Sequence, residues 1–460
     1  MSSHPLRVAV IGAGPAGIYA SDILSKSEVN ASIDLYEKLP APYGLVRYGV
    51  APDHPAIKHI INALYEVLQR GDIRLVGNVE IGKDITFEEL RAQYDAVIIA
   101  TGADKDADFS VPGVDLPEVY GGADFVNWYE GHPDVPLTWP LEAQSVAVIG
   151  VGNVALDIAR MLAKHSQDFA STDIPQNVEE ALAKSPVREV HVFGRRGPAQ
   201  AKFSPMELRE LGQTPDVDVI VDEQDYQYVP GFDPEASESK ITRQVVKILN
   251  EYLEAQSEEK TASRRVYIHM MQQPAEIIGD GHVEAIRMER TALEGSGDVV
   301  GTGEYVEYLV QAVYRATGYK SSPVPGVPFD SVHNIVPNVA GRVKMADGAE
   351  VRGLYATGWI KRGPVGLIGS TKSDAAETIA SLVEDYQAGE LSHNPDSAGW
   401  EGIASLLESR GVRFTNWQGW ELLESYEKLL GEKRGRERTK IVDRDAMTAI
   451  SRGEYGGKIK

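Results

Sequence analysis

The stretch VAVIGAGPAGIYASDIL, residues Val8–Leu24, decides the fold. An apolar run leads directly into Gly12, Gly14 and Gly17, and a helix-forming sequence begins within the loop. In such a strand–loop–helix unit, the first glycine permits a tight turn and the second lets a pyrophosphate approach the backbone, while the third lets helix and strand pack closely. The amide groups at the helix N-terminus favour an anion. The stretch therefore predicts a Rossmann-like unit that binds a dinucleotide.

An acidic residue follows this motif at an informative spacing. Glu37 lies 20 residues after Gly17, in the stretch DLYEKLP, where the second strand of such a unit ends. A carboxylate at this position can accept hydrogen bonds from both hydroxyls of the adenosine ribose, and it repels a 2'-phosphate. The first site is therefore predicted to hold FAD or NAD and to reject NADP.

A second unit of the same kind occurs later in the chain, in VAVIGVGNVALDIARML. Gly150, Gly152 and Ala155 form the G-x-G-x-x-A variant of the motif. The next strand does not end in an acidic residue; instead VREVHVFGRRGPAQ places Arg195 and Arg196 after an apolar run. Paired guanidinium groups suit a phosphate dianion because they offer forked donors and keep their charge. The second site is therefore predicted to bind NADP.

Three apolar runs that end in Ala-Thr-Gly organise the rest of the chain. They end at Gly102, Gly318 and Gly358, as expected for buried parallel strands that stop at a cofactor. Two such ends after the second unit suggest that the chain returns to the first domain. We therefore predict an α/β protein with two Rossmann-like dinucleotide-binding domains of the three-layer ββα type, the first of them discontinuous. The predicted FAD-binding domain comprises residues 1–104 and 326–460, with a helical tail from about residue 395, and the predicted NADP-binding domain comprises residues 105–325.

Composition excludes several classes of function. The chain has 460 residues, of which 42% are hydrophobic and 25% charged, as in globular enzymes. It contains no cysteine, which excludes disulfide chemistry, thiol nucleophiles and cysteine-ligated metal or iron–sulfur sites. A net charge of -22 argues against nucleic acid as a partner. The sequence has no apolar run long enough to span a membrane and enters a strand within a few residues, so we expect a cytoplasmic protein.

Four longer strings resemble the adrenodoxin reductase-like ferredoxin–NADP(+) reductases, a family of two-domain FAD enzymes also found in actinobacteria. The strings are LPAPYGLVRYGVAPDHPAIK (39–58), IGVGNVALDIAR (149–160), VFGRRGPAQAKFSPMELREL (192–211) and ATGWIKRGPVGLIGSTKSDA (356–375). The likeness covers nearly the whole chain. It implies an NADPH:ferredoxin oxidoreductase, in which hydride passes from NADPH to FAD and single electrons then pass to a ferredoxin-type iron–sulfur protein.

The resemblance, together with the two motifs, also implies the residues of both sites. The positions expected to bind FAD are Gly12, Gly14, Pro15, Gly17, Glu37, Leu45, Ile81, Trp359, Gly366, Leu367 and Ile368. The positions expected to bind NADP(H) are Gly150, Gly152, Asn153, Val154, Arg195, Arg196, Glu207 and Gly366. His54 and Glu210 are implied to approach the nicotinamide as assistants in catalysis, because hydride transfer depends on distance and geometry more than on an acid or base. No metal site is predicted.

A basic patch is needed if an acidic ferredoxin is to bind a chain of charge -22. In the segment KITRQVVK, Lys240, Arg243 and Lys247 fall on one side of a predicted helix. This segment is the candidate docking patch, and a solvated helix face is the alternative interpretation.

Two other functions remain open on the sequence alone. An NADPH-dependent flavin monooxygenase or diaphorase also pairs FAD with NADPH on two such units, although the pattern F-x-G-x-x-x-H-x-x-x-W does not occur in the chain. A non-catalytic redox sensor would bind both dinucleotides without turnover. The segment GWIKRGPVGLIG argues against a sensor because it implies a preserved flavin edge.

Overall fold

The computed structural model describes residues 5–225, 237, 239–255, 260–294, 298–366, 368–391 and 397–456. Its strands are β1 (Leu6–Ile11), β2 (Ala31–Tyr36), β3 (Ile73–Val76), β4 (Ala96–Ile99), β5 (Lys105–Asp106), β6 (Val119–Gly121), β7 (Ser145–Ile149), β8 (Glu189–Phe193), β9 (Val217–Val221), β10 (Arg264–His269), β11 (Gln272–Ile278), β12 (Ala285–Leu293), β13 (Val299–Leu309), β14 (Ala312–Arg315), β15 (Tyr319–Lys320), β16 (Asn338–Val339), β17 (Arg342–Lys344) and β18 (Glu350–Ala356). Its α-helices are α1 (Pro15–Ser25), α2 (Leu45–Tyr48), α3 (Pro55–Lys58), α4 (Ile60–Leu68), α5 (Phe87–Arg91), α6 (Gly122–Tyr129), α7 (Asn153–Ala163), α8 (Gln176–Leu182), α9 (Pro205–Gly212), α10 (Lys240–Glu254), α11 (Trp359–Arg362), α12 (Ile368–Gln387), α13 (Trp400–Ser409), α14 (Trp417–Glu432) and α15 (Arg444–Ser451).

The chain forms two compact units. Unit 1 contains Met1–Lys105, Glu130–Asp134 and Tyr319–Lys460, and unit 2 contains Asp106–Tyr129 and Val135–Gly318. Unit 1 is therefore assembled from three separate segments of the chain, and each unit contains one of the two glycine motifs.

Unit 1 is built on a seven-stranded sheet in the order β16-β17-β18-β4-β1-β2-β3. The five strands from β18 to β3 are parallel, whereas β16, β17 and β18 pair antiparallel. Leu24, Leu64 and Leu382, from α1, α4 and α12, belong to the core on one face, and Ile403 and Leu407 of α13 belong to the core on the other. The carboxyl ends of β1, β2 and β4 thus share the edge at which the first glycine motif begins.

Unit 2 has three layers around a six-stranded parallel sheet in the order β6-β14-β7-β8-β10-β9. The helix α7 packs on β7 and β8. Ile149 and Phe193 of the parallel sheet share a core with Ile286 and Met288 of an antiparallel sheet formed by β11, β12 and β13. The predicted α/β class with two Rossmann-like units is therefore confirmed.

Buried ion pairs attach the segment Glu130–Asp134 to unit 1. Glu130 has no exposed surface (0%), and its carboxylate accepts hydrogen bonds from Lys58 Nζ at 2.9 Å and from Lys440 Nζ. Lys440 Nζ also donates to the backbone carbonyl of Glu130 at 3.2 Å. Burying a carboxylate is costly unless opposite charges and hydrogen bonds compensate for lost solvation. The two lysines supply that compensation, and one of them comes from the C-terminal end of the chain.

The C-terminal helices are held by a second buried pair. Arg47 Nη2 donates to Glu427 Oε1 at 2.5 Å, and the two side chains are 2% and 0% exposed. Ile441 N donates to the same carboxylate oxygen at 3.0 Å, and Lys440 Nζ donates to the carbonyl oxygen of Arg47 at 3.0 Å. The segment that follows α14 therefore belongs to the interior of unit 1 and is not a detached tail.

We predict that Glu130→Gln lowers the free energy of unfolding by about 3–5 kcal/mol, because it leaves two lysine ammonium groups without their buried counter-charge. Urea unfolding followed by tryptophan fluorescence measures the change. The control is Glu350→Gln, which removes an exposed carboxylate paired with Lys344 at 2.7 Å and should cost no more than about 1 kcal/mol. Equal effects of the two substitutions would contradict the prediction.

Candidate functional site

The first glycine motif makes a turn that only glycine can occupy. Gly12 has a φ of +110°, and a Cβ atom on it would overlap the carbonyl oxygen of Ala100 at the end of β4. A Cβ on Gly17 would overlap the carbonyl oxygen of Gly12. Gly12 N donates to the carbonyl oxygen of Tyr36 at 2.8 Å. The loop therefore follows β1 and is in close contact with the ends of β2 and β4.

The helix after this loop begins with an accessible end. Gly14 is the N-cap of α1 and Pro15 follows it, and no side chain among the described residues caps the helix. Gly44, with a φ of +50°, approaches from the next loop, and a Cβ on it would lie 3.0 Å from the Cα of Gly14. The glycines thus keep side chains away from the helix N-terminus. A pyrophosphate fits there because amide groups and the helix dipole both favour an anion.

Glu37 lies beside this loop at the end of β2. Its Oε2 accepts a hydrogen bond from Ala13 N at 3.0 Å, and its Oε1 accepts one from Leu39 N at 3.1 Å. Burial raises the pKa of Glu37, and the two backbone donors oppose that rise. The backbone of Lys38 lowers this pKa as well, and these backbone donors do not occupy every lone pair of the carboxylate, so it can also accept from a hydroxyl group. The site therefore fits an adenosine ribose.

The other predicted FAD positions lie in unit 1 at several elements. Leu45 begins α2, Ile81 is buried at 8% exposure, and Trp359 begins α11. Gly366 is exposed with a φ of +89°, and Ile368 begins α12. Leu367 lies outside the described residues.

Asp374 is a residue of this region that the sequence analysis missed. Its Oδ2 accepts hydrogen bonds from Thr357 Oγ1 at 3.0 Å and from Gly358 N at 2.5 Å. Asp374, on α12, therefore fixes the third Ala-Thr-Gly strand end, which immediately precedes Trp359. Its signal was present in the string ATGWIKRGPVGLIGSTKSDA, but a lone aspartate on a helix does not reveal a partner 17 residues away.

Arg362 was also missed. Its Nε and Nη2 atoms are buried and make no hydrogen bond within the described part of the chain. Its Nη1 lies 3.2 Å from the place that a Cβ of Gly366 would occupy. Arg362 therefore offers polar donors beside a glycine that the sequence analysis assigned to both cofactors.

The second glycine motif repeats the geometry of the first in unit 2. Gly150 has a φ of +140°, and a Cβ on it would overlap the carbonyl oxygen of Ala316 at the end of β14. Gly152 is the N-cap of α7, again without a capping side chain among the described residues, and a Cβ on it would meet no atom within 4 Å. Asn153 and Val154 form the first turn, where Asn153 Oδ1 accepts from Ser204 N at 2.7 Å.

Arg195 and Arg196 are the second and third residues after β8, close to the strand end that corresponds to the end of β2, where Glu37 lies in unit 1. Arg195 is exposed and Arg196 is half-buried. Arg196 Nη2 lies 3.9 Å from Asp298 Oδ1, and its Nε makes no hydrogen bond within the described ranges. Two guanidinium groups with donors to spare fit a phosphate.

Glu207 is held in place by an arginine of α7. It is 3% exposed on α9, and its Oε2 lies 3.1 Å from Arg160 Nη1. Arg160 Nη2 in turn contacts Asp157 Oδ1 at 2.6 Å. Arg160 and Asp157 were not predicted, because their role depends on α7 and α9 packing together. Glu210 is half-buried one turn further along α9.

His54 belongs to unit 1, where it is 4% exposed and forms the N-cap of α3. Its backbone carbonyl accepts hydrogen bonds from Ile57 N at 3.1 Å and Lys58 N at 3.2 Å. The position of His54 is therefore set by the backbone of the loop and the short helix after it.

The three predicted patch residues lie on one exposed side of α10. Lys240, Arg243 and Lys247 are exposed, while Val245 and Ile248 bury the opposite side. Only Lys247 has an acidic side chain of the same helix within ion-pair distance among the described residues, namely Glu251 at 3.9 Å. The patch is therefore a cationic strip along the first half of the helix.

A stack of aromatic and imidazole rings lies on β8 and β10. His191 Nδ1 and His269 Nε2 are 3.0 Å apart, and His269 Nδ1 lies 3.4 Å from Asp225 Oδ2. The ring of His191 stacks on Tyr267 with centroids 4.5 Å apart. Burial and the neighbouring His269 lower the pKa of His191 to about 3. His191 is therefore neutral in the folded protein at neutral pH.

Comparison with known proteins shows the class of protein that these two sites define. A family model described as pyridine nucleotide-disulphide oxidoreductase matches residues 6–358, and the chain belongs to this family. Since the chain has no cysteine, the disulphide in the family's description has no counterpart here.

Individual relatives give a narrower picture and confirm the resemblance inferred from the sequence. The chain is 38% identical to the mitochondrial NADPH:adrenodoxin oxidoreductase of Arabidopsis thaliana, over 98% of this chain and 96% of the plant protein. It is 36% identical to the NADPH-ferredoxin reductase FprA of Mycobacterium tuberculosis (strain ATCC 25618 / H37Rv), over 98% of this chain and 100% of that protein. The structure of M. tuberculosis FprA in complex with NADPH matches with a TM-score of 0.89, covering 98% of this chain and 100% of that chain.

The location of the protein stays a prediction, since several relatives are named as mitochondrial. Among the described residues, none of the helices combines the length and apolar character that crossing a bilayer requires.

We predict that acid destabilises unit 2 through His191. The pKa of His191 is about 3 when folded and about 6.5 when unfolded, so below pH 6.5 the unfolded chain binds a proton that the folded chain does not. Stability therefore falls as the pH falls. When the pH is lowered from 6.5 to 5, the decrease in the free energy of unfolding should be about 1–2 kcal/mol smaller for His191→Phe than for the parent protein. Urea unfolding at both pH values tests this. The control is His282→Phe at an exposed histidine of the same unit; if it changes the pH dependence equally, His191 is not the cause.

Proposed function

We propose that this protein is an NADPH:ferredoxin oxidoreductase, with FAD bound by unit 1, NADP(H) bound by unit 2 and a ferredoxin-type iron–sulfur protein as acceptor. The observation that carries the proposal is the opposite charge after corresponding strands of the two units. Glu37 follows β2 in unit 1, and Arg195 and Arg196 follow β8 in unit 2. A carboxylate repels a 2'-phosphate and paired guanidiniums attract one, so the two units select different dinucleotides.

In unit 1 the proposed cofactor contacts begin at the adenosine end. Glu37 accepts hydrogen bonds from the ribose hydroxyls, since its own backbone donors leave lone pairs available. The N-terminus of α1, opened by Gly14, faces the pyrophosphate. The proposed FAD domain comprises residues 1–104 and 326–460.

The other end of the proposed FAD site is built from the third Ala-Thr-Gly strand and the turn before α12. FAD, when bound, accepts a hydride from the nicotinamide and passes single electrons to the acceptor. Asp374 holds Thr357 and Gly358 in place, which fixes the start of the helix that carries Trp359. Arg362, the last residue of this helix, offers guanidinium donors beside Gly366, and its Nε lies 3.7 Å from Asp374 Oδ1. Such donors stabilise negative charge in a preorganised site.

In unit 2 the proposed NADP(H) site occupies the equivalent edge, within the proposed domain of residues 105–325. Gly152, Asn153 and Val154 form the amide-rich first turn of α7 for the pyrophosphate. Glu207, held by Arg160, is positioned for the ribose that carries the 2'-phosphate. We also propose that His54 and Glu210 orient the nicotinamide by hydrogen bonding and charge. Neither is required as a base, because hydride transfer depends chiefly on geometry.

The acceptor is proposed to dock on the cationic strip of α10. The names of the relatives include adrenodoxin in one case and ferredoxin in another. Lys240, Arg243 and Lys247 give this strip three positive charges on a chain whose net charge is -22. A local cationic strip attracts an acidic partner and sets its orientation, although the rest of the surface repels it.

The central test uses the purified holoenzyme mixed anaerobically with either pyridine nucleotide. NADPH should bleach the visible flavin absorbance much faster than NADH does. In Arg195→Ala/Arg196→Ala the preference for NADPH should fall by about a hundredfold or more, since each charge-assisted contact to phosphate contributes about 1.5–3 kcal/mol. Stopped-flow measurements give both rates.

The matched control is Arg188→Ala/Arg265→Ala. It removes the same amount of charge, but at the N-terminal ends of β8 and β10, away from the arginines that follow β8. It should leave the preference unchanged. A preference that survives removal of Arg195 and Arg196 would show that the second site has been assigned wrongly.

We predict that Lys240→Glu/Arg243→Glu/Lys247→Glu raises the KM for an acidic ferredoxin by at least about tenfold at low salt, and that added salt reduces this difference. Reduction of ferricyanide by NADPH should be unaffected, because a small acceptor needs no docking strip. The control variant reverses three exposed, dispersed cations of unit 1: Lys26, Lys83 and Arg352. If this control raises the KM for ferredoxin as strongly, net charge and not the strip governs docking.

A further inference from the structure

The loop that carries the two arginines is tied to the three-stranded sheet of unit 2. We define the arginine loop as Gly194, Arg195 and Arg196. Gly194 O accepts a hydrogen bond from Gln272 N at 3.0 Å, and Arg196 O accepts one from Met271 N at 3.3 Å. These two hydrogen bonds fix the carbonyl groups of Gly194 and Arg196 against the start of β11.

Between these two backbone contacts lies one made by a side chain. Thr291 Oγ1 donates to the carbonyl oxygen of Arg195 at 2.8 Å. Thr291 is 2% exposed, and its backbone N also donates to the carbonyl oxygen of Met271 at 2.9 Å. A single threonine thus holds both the arginine loop and the turn that supports it.

The local backbone explains why Thr291 reaches the loop. The pairing of β12 with β13 shifts register between Glu289 and Thr291, and a bulge of this kind redirects the side chain at that position. Met271 has a φ of +57°, which a non-glycine residue adopts only when its surroundings impose it. The bulge and the turn are both departures from regular strand geometry, and the hydrogen bond from Thr291 N to the carbonyl oxygen of Met271 joins them.

The residues beside this contact are cross-linked as well. Asp225, which is 1% exposed, lies with its Oδ1 3.2 Å from Gln272 Nε2 and 3.2 Å from Arg290 Nη1. Gln272 follows Met271, and Arg290 precedes Thr291. The buried carboxylate of Asp225 therefore links Gln272 to Arg290, and the hydroxyl of the neighbouring Thr291 links this group of residues to the arginine loop.

We infer that Thr291 is a positioning residue that sets the preference of unit 2 for a 2'-phosphate by holding the backbone of Arg195. The inference rests on the proposed function, in which Arg195 and Arg196 bind that phosphate. An arginine side chain has many rotamers, and a loop that is already ordered loses less conformational entropy on binding. Without the hydroxyl, the carbonyl of Arg195 lacks this donor, and the backbone that carries the two guanidiniums must be ordered by the ligand itself.

The test compares two ligands that differ only in the 2'-phosphate, adenosine 2',5'-bisphosphate and adenosine 5'-monophosphate, by calorimetry on the holoenzyme. Thr291→Val, which keeps the shape and removes the hydroxyl, should raise the Kd of the bisphosphate about fivefold to tenfold, in keeping with the loss of one hydrogen bond. The Kd of the monophosphate should not change. Thr291→Ser, which keeps the hydroxyl, should restore the parent value. Thr291→Ala also lacks the hydroxyl and serves if the valine variant does not fold.

The control is Thr172→Val, which removes another hydroxyl of unit 2 that donates to a carbonyl, that of Phe169, at 2.8 Å. It should leave both Kd values unchanged. Equal weakening of the two ligands by Thr291→Val, or no weakening, would overturn the inference. In the latter case, loss of discrimination in Arg195→Ala/Arg196→Ala would show that the proposed function stands without it. Retained discrimination in that double variant would overturn both.

Discussion

In each unit a glycine Cα lies so close to the carbonyl oxygen at the end of a neighbouring strand that no side chain can be accommodated. Gly12 meets Ala100 in this way, and Gly150 meets Ala316. This close approach brings the loop across the edge of the sheet and begins the next helix over the strand ends. It thereby determines where an anion can meet the helix N-terminus. The discriminating residue, Glu37 directly after β2 or Arg195 two residues after β8, lies near that point because each of these strands is parallel to and in register with the strand before the glycine loop.

The same backbone arrangement serves both units, and only a few side chains make them different. In unit 1 the carboxylate of Glu37 is used partly by the backbone, which holds it in one orientation. In unit 2 the backbone of the two arginines is held by the antiparallel sheet and the turn before it, because their carbonyl groups accept hydrogen bonds from Thr291 and Met271. In unit 1, hydrogen bonds made directly to the carboxylate therefore position the negative charge. In unit 2, hydrogen bonds to the backbone carbonyl groups position the residues that carry the positive charge.

The sequence analysis predicted the parts of the structure that depend on residues close together in the chain. The two glycine motifs, Glu37 and the Arg195–Arg196 pair follow strands at short spacing, so their positions can be inferred from periodicity and motif alone. Asp374, Arg160 and Thr291 could not be inferred in this way. Each acts on an element at another place in the chain, through a contact that exists only after the helices or sheets have packed.

The attachment of the segment Glu130–Asp134 to unit 1 was also beyond sequence reasoning, because it depends on the ion pair between Glu130 and Lys440. That ion pair has a consequence for synthesis on the ribosome. One of the two lysine partners of Glu130, Lys440, is made 310 residues after it. The segment Val135–Gly318 is continuous and is made in between, so unit 2 has all of its main segment available while unit 1 still lacks strands and helices. The unit that begins first along the chain is therefore the one that finishes folding last.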